Sequence, residues 1–192
     1  MIGLYGLKPT YARLLRPFVD TLESRGISPD AVSAAGVACG SAAGLVVAFA
    51  EPGPTAALLV AALVAGRLGC ANMDGTLARR RAPRAFGAVV NELGDRIADL
   101  ALLAGLCTHL GWATGAVMLA ATLPSWASLA VASNGGPRSN SGPMGKTERC
   151  ALLVLAAATG WFVPIAAVVL IGSVITAALR LVEGARPAQV SR

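Results

Sequence analysis

Residues 67–100 read RLGCANMDGTLARRRAPRAFGAVVNELGDRIADL, two apolar helical segments joined by an arginine-rich turn. Asp74 closes a long apolar run, and Asn91, Asp95 and Asp99 recur at every fourth position of the next one. A charged side chain at bilayer depth costs about 2.5–3.5 kcal/mol on insertion scales, so carboxylates inside such segments mark a functional site.

Composition sets the class around this stretch. The 192 residues are 55% hydrophobic and 14% charged, with a mean hydropathy of +0.66. That is too apolar for an ordinary soluble domain and points to a multi-span membrane protein. The net charge of +6 lies mostly at helix ends and turns without interleaved aromatics, which suits membrane orientation and argues against a nucleic-acid partner. Cys39, Cys70, Cys107 and Cys150 fall in or beside apolar runs with no CxxC or Cys/His spacing, so neither a disulfide frame nor a zinc site is expected. Residues 1–26 lack a continuous apolar run, so no cleavable signal peptide is expected.

The N-terminal stretch 8–26 can place Tyr11, Leu14, Leu15, Phe18 and Leu22 on one helical face, with Lys8, Arg13, Arg16 and Arg25 elsewhere. It is expected to form an amphipathic surface helix, broken or kinked near Pro17. Ser28-Pro29 then signals a helix start, with Ser28 as N-cap. Apolar runs predict spans over 31–50, 55–80, 85–110 and 113–132. Residues 149–181 suit two short spans turning near Gly160-Trp161. The fold class is therefore all-α and integral to the membrane, with six transmembrane helices behind the surface helix.

With both termini cytoplasmic, every Lys and Arg except Arg67 and Arg96 falls in or beside a cytoplasmic segment, and the outer turns carry none. A single helix through 149–181 would put Arg186 and Arg192 outside, so the positive-inside rule prefers six spans. One membrane domain covers the chain: residues 1–27 juxtamembrane, 28–183 the bundle and 184–192 a tail. Pro83 closes the turn holding Arg79, Arg80, Arg81 and Arg84. His109, the single histidine, falls at a predicted outer turn and is expected to be a solvated turn residue.

On the second span Ala71, Asp74 and Ala78 share a stripe, with Gly75 beside it. Small residues there suit either close approach of a ligand or helix packing, and the carboxylate among them favours the ligand. On the third, Asn91, Glu92, Asp95 and Asp99 fall within about 100° of arc. Oxygen donors facing Asp74 suit a hard divalent cation completed by substrate phosphates, and the nearby arginines suit a diphosphate. The competing reading is a set of buried ion pairs involving Arg67 and Arg96. It is strongest for Asp99, which lies at a depth where Arg67 can reach it; ligand or ion-pair partner stays open.

These residues resemble the signature of the CDP-alcohol phosphatidyltransferase family, Asp-x2-Asp-Gly-x2-Ala-Arg, a spacer, then Gly-x3-Asp-x3-Asp. Asp74, Gly75, Ala78, Arg79, Gly87 and Asp95 match, whereas the first and third Asp of the pattern fall on Ala71 and Asn91. The surface helix, the Ser-Pro-Asp before span one and the span count are also similar to the family. The resemblance implies transfer of a phosphatidyl group from a CDP-activated lipid such as CDP-diacylglycerol to an alcohol, with release of CMP, in phospholipid biosynthesis. It implies Mg²⁺ or Mn²⁺ as cofactor, Asp74 as metal ligand, Asp95 as ligand and base, and Gly75, Ala78 and Arg79 against the CDP moiety. A cytoplasmic-membrane homodimer is also implied.

Asn91 keeps an oxygen donor without the charge, and Glu92 on the same face is expected to compensate in part. Lys146, Arg149 and Arg180, at the cytoplasmic ends of the last helices, suit an anionic acceptor as well as membrane orientation. The missing acids leave a second reading, a catalytically silent homologue that binds lipid nucleotide or a partner enzyme. A small transporter subunit fits less well, because its site would lie at the midplane and recur in the second half. If Glu92 contributes, Glu92→Gln reduces metal-dependent CMP release at limiting metal; full activity in that assay removes Glu92 from the ligand set.

Overall fold

The computed structural model describes residues 8–81, 86–136 and 139–185, with the side chains of 8–12 excluded. Pro83, Arg84, Arg186, Arg192 and the Tyr11 side chain, used in the readings above, lie outside the described residues. Seven α-helices follow in order: α1 (Lys8–Ser24), α2 (Pro29–Phe49), α3 (Pro54–Arg80), α4 (Gly87–Cys107), α5 (Thr114–Ser133), α6 (Lys146–Thr159) and α7 (Phe162–Gly184). Among the described residues all regular structure is helical, with one 3-10 turn at Gly111–Ala113 before α5.

Local chemistry sets several boundaries. Ser28 caps α2, its Oγ accepting the Ala31 N–H at 3.1 Å, and Pro29 opens the helix. Gly160 ends α6 at φ 73°, a left-handed conformation in which glycine has no Cβ penalty, and so divides the long apolar stretch after residue 149 into two helices. The surface helix α1 runs unbroken through Pro17. Its buried contact is Val19, packed with Val32 and Leu77, while Leu14 and Phe18 stay exposed as an apolar face.

This is an all-α membrane fold. By length and composition α2, α3, α5 with its preceding turn, and α7 can cross a membrane. Helix α4 carries Glu92, Asp95, Arg96 and Asp99, and α6 has only 14 residues. At 1.5 Å per residue α6 is about 21 Å long against a hydrocarbon core of about 30 Å. Length and composition thus support four spans, short of the six expected.

Packing centres on α2, which contacts both α3 and α4, while α5 packs on α7 and α3 on α6. A glycine stripe on α2 makes this possible. A Cβ at Gly36 would lie 3.1 Å from the Cys70 Cβ, and one at Gly40 would lie 3.1 Å from the Arg67 Cδ and 2.9 Å from the Ala98 carbonyl oxygen. Gly44 meets Gly105 of α4 backbone to backbone; a Cβ at Gly105 would lie 2.8 Å from the Gly44 Cα. Small residues at every fourth position let membrane helices approach closely, and here they open room for the Arg67 side chain.

Two further ties position the site. Arg80 at the end of α3 pairs with Asp20 and Glu23 of α1, both at 2.7 Å, and Arg81 donates to the Ile27 carbonyl at 2.8 Å. The loop before α6 is fixed to α7 by the Met144 N–H donating to Thr176 Oγ1 at 2.8 Å, and by Ser139 and Ser141 donating to Glu183 at 2.7 Å each. His109 is exposed but not simply solvated: its ring stacks on Phe162 with centroids 3.6 Å apart, and its Nε2 lies 3.0 Å from the Val47 carbonyl oxygen. Gly105→Ala is expected to force α2 and α4 apart and to cost about 1–3 kcal/mol, read as a lower thermal midpoint in detergent.

Candidate active site

Asp74, in the last two turns of α3, is buried, with 3% of its surface exposed. Its Oδ2 accepts from Ser33 Oγ at 2.6 Å and its Oδ1 from the Gly75 N–H at 2.5 Å. Each carboxylate oxygen has two lone pairs, so these bonds leave acceptor capacity on both. Asp74 and Asp95 line one pocket between α2, α3 and α4, together with Ser33, Ala71, Gly94 and Arg67. The Asp95 carboxylate, partly exposed, pairs with the Lys146 ammonium at the start of α6.

One turn deeper the chemistry changes character. Asp99 is buried and receives Arg67 of α3, Arg149 of α6 at 2.8 Å, and Arg96 of its own helix at 3.9 Å. Arg67 is 1% exposed, and its second Nη lies 3.7 Å from Cys150 Sγ. Arg96 also bonds Ser125 of α5 and lies 3.4 Å from Glu92 Oε1. Asp99 is thus the anion at the centre of a cationic knot, and the ion-pair reading holds for it. A buried cation needs such a partner, and the arginines of three neighbouring helices find theirs in one carboxylate.

The remaining sequence candidates separate by what they touch. Among the described residues no neighbouring helix lies against Gly75: a Cβ built there would meet Arg79 Nη1 alone, at 3.5 Å. Packing therefore does not explain this glycine, and the open helix face suits close approach of a ligand. Ala78 and Arg79 are exposed beside it, with Arg79 Nη2 donating to Thr76 Oγ1 at 3.1 Å. Asn91 is half-buried one turn before Asp95, outside the residues lining the pocket. Arg149 is turned to Asp99, and buried Arg180 donates to the carbonyls of Pro124 at 2.8 Å and Ser141 at 2.9 Å and to Ser128 Oγ at 3.1 Å. Of the three basic acceptor candidates, Lys146 is the one paired with a carboxylate lining the pocket. Ser33 was not legible as a site residue, since a lone hydroxyl in an apolar helix gives no signal of which helix it will face.

The chain has relatives over most of its length. The inner membrane protein YnbA of Escherichia coli is 30% identical over 156 residues, spanning 79% of this chain and 77% of the relative. Phosphatidylinositol phosphate synthase of Mycobacteroides abscessus is 30% identical over 168 residues, 82% of this chain and 73% of the relative. The chain belongs to the CDP-alcohol phosphatidyltransferase family. No family model matches the sequence. The fold of this family member is similar to that of Mycobacterium tuberculosis phosphatidylinositol phosphate synthase in complex with manganese and citrate, at TM-score 0.70 and 23% identity over 92% of this chain and 91% of that one. The same enzyme with CDP-DAG bound gives TM-score 0.68 and 24% identity over 94% and 98%.

Within this family member the donor set is thinner than the family pattern. Among the described residues no group of three or more His, Cys, Asp or Glu side chains is placed to hold a metal ion. Ala71 puts a methyl group in the pocket where the pattern has its first carboxylate. Two carboxylates and water-accessible space still fit one hard dication whose shell substrate phosphates complete, because Mg²⁺ is commonly held by one or two carboxylates. The two layers of acids should separate by mutation. Asp99→Asn leaves buried arginines uncompensated and is expected to cost about 3–5 kcal/mol of stability. Asp95→Asn breaks a partly exposed pair worth about 0–1 kcal/mol. Thermal unfolding in detergent compares them directly.

Proposed function

We propose that this chain transfers a phosphatidyl group from a CDP-activated lipid such as CDP-diacylglycerol to an alcohol, releasing CMP, at the pocket between α2, α3 and α4. The observation that carries it is the meeting of Asp74 and Asp95 in one pocket, beside an open Gly75 face, in a chain 30% identical to a phosphatidylinositol phosphate synthase. Asp95 takes the acceptor's hydroxyl proton, and that oxygen forms a bond to the β-phosphorus of the CDP-lipid. The bond from this phosphorus to the oxygen bridging to CMP breaks, and CMP leaves with the electron pair. Arg79, beside Gly75 on the exposed face, receives the diphosphate, while Gly75 and Ala78 let the nucleotide lie close to the helix.

Asp74 and Asp95, which line the pocket, would hold a divalent cation, Mg²⁺ or Mn²⁺, and Asn91, one turn before Asp95 and outside that lining, would have to turn inward to join them. Glu92 lies against Arg96 and would have to leave that arginine to join them. When bound, the cation supplies charge neutralisation on the diphosphate. Lys146 must shift off Asp95 for that carboxylate to receive a proton, and an anionic acceptor is the species best suited to draw it. The arginine-rich end of α3 supports a cytoplasmic site by the positive-inside rule, with α4 and α6 completing six crossings. A homodimer follows from the family resemblance.

A catalytically silent homologue is the second reading, favoured by Ala71 and Asn91 at the acidic positions. Purified protein with CDP-diacylglycerol, Mn²⁺ and a panel of alcohols is expected to release CMP, and Asp95→Asn to lower the rate by about 10²–10⁴-fold. Metal-dependent binding of the CDP-lipid without turnover on any acceptor would favour the silent homologue.

A further inference from the structure

Several helical hydroxyls in this bundle turn back on their own helix. Thr21, Thr76, Thr122 and Thr159 each donate to a carbonyl three or four residues earlier, at 2.7–2.9 Å. That local bond is open to any serine or threonine in a helix. Ser33 directs its single proton elsewhere. Its Oγ crosses from α2 to α3 and donates to Asp74 Oδ2 at 2.6 Å.

Packing holds Ser33 in that place. Ser28 caps α2 and Pro29 opens it, so Ser33 stands in the second turn. Its neighbour Val32 is buried with Val19 of α1 and Leu77 of α3, and Leu77 lies three residues beyond Asp74. This contact sets the register in which Ser33 meets Asp74. On its other side Ser33 faces α4 next to Asp95, where a Cβ built on Gly94 would lie 3.8 Å from the Ser33 Cβ. Ser33 thus stands where α2 meets both helices that bring a carboxylate to the pocket, and it lines that pocket with them.

Each oxygen of Asp74 then has one neutral donor, Ser33 on Oδ2 and the Gly75 N–H on Oδ1 at 2.5 Å. The plane of the carboxylate is fixed while its charge and its remaining lone pairs stay available. The two bonds are not equivalent. The Gly75 N–H belongs to α3 and moves with Asp74, whereas Ser33 ties the carboxylate to another helix. We propose that Ser33 is a positioning residue, its hydroxyl holding the Asp74 carboxylate in the orientation in which it binds the divalent cation. This rests on the transferase reading and deepens it. Ser33 acts through Asp74 and is assigned no contact with the reacting atoms.

Mn²⁺ binding to the purified full chain in nanodiscs, followed by electron paramagnetic resonance, tests this alongside CMP release and thermal unfolding. Ser33→Ala is expected to weaken Mn²⁺ binding about tenfold, and to lower CMP release about tenfold at limiting Mn²⁺, as loss of a group that orients a metal ligand does. Its thermal midpoint should fall by only about 2–4 °C, the effect of one hydrogen bond. Ser33→Thr restores the hydroxyl, Gly94 opposite leaves room for the added methyl, and most of the lost affinity and rate should return. Unchanged Mn²⁺ affinity in Ser33→Ala, or a Ser33→Thr as impaired as Ser33→Ala, overturns the positioning role and leaves the transferase reading intact. If wild type binds Mn²⁺ but releases no CMP, the transferase reading fails, and a tenfold loss of affinity in Ser33→Ala still upholds the role of Ser33. A wild type that binds no Mn²⁺ overturns both.

Discussion

Asp99 receives arginines from α3, α4 and α6 at a depth where an unpaired guanidinium could not remain, and the bundle is arranged around meeting that requirement. Arg67 is almost entirely buried, so α3 and α4 must stay in register for Asp99 to reach it. Arg149 brings α6 to the same point. The glycine stripe of α2 answers the same constraint, because a side chain at Gly40 would fall on the Arg67 stem. The knot thus fixes how the helices that carry the chemistry face one another.

Above that floor the acids are treated differently. Asp74 is held by a hydroxyl and a backbone N–H, partners that orient a carboxylate without neutralising it. Asp95 pairs with the Lys146 ammonium, and both side chains stay partly open to solvent. Asp74 and Asp95 are thus free for the roles proposed for them, whereas Asp99 is paired with three arginines. The exposed arginines at the end of α3 divide similarly: Arg80 and Arg81 dock on the surface helix and on the turn that follows it, which leaves Arg79 on the open Gly75 face.

The helices and the central pair were legible in the sequence because apolar length, the Ser28-Pro29 start and the recurrence of acids at every fourth residue are local signals. The pairing of Arg67 with Asp99 was reachable from helix depth alone. Arg149 and Arg180 were not, since a basic residue at a helix end looks the same whether it awaits a ligand or clasps a carboxylate or a carbonyl. The α2 glycines were equally silent, because their role lies in what the neighbouring helices place against them. Pro17 inside α1 shows the same limit: neighbours decide whether a local breaker ends a helix.

The central claim is that the pocket between α2, α3 and α4 is the chemical site and that Asp99 beneath it is structural. Anomalous scattering from Mn²⁺ in crystals grown with CDP-diacylglycerol tests it most directly. A peak within coordination distance of Asp74 on the pocket side, with none at Asp99, is the predicted result. A metal ion against Asp99, or one bound away from both Asp74 and Asp95, would contradict it.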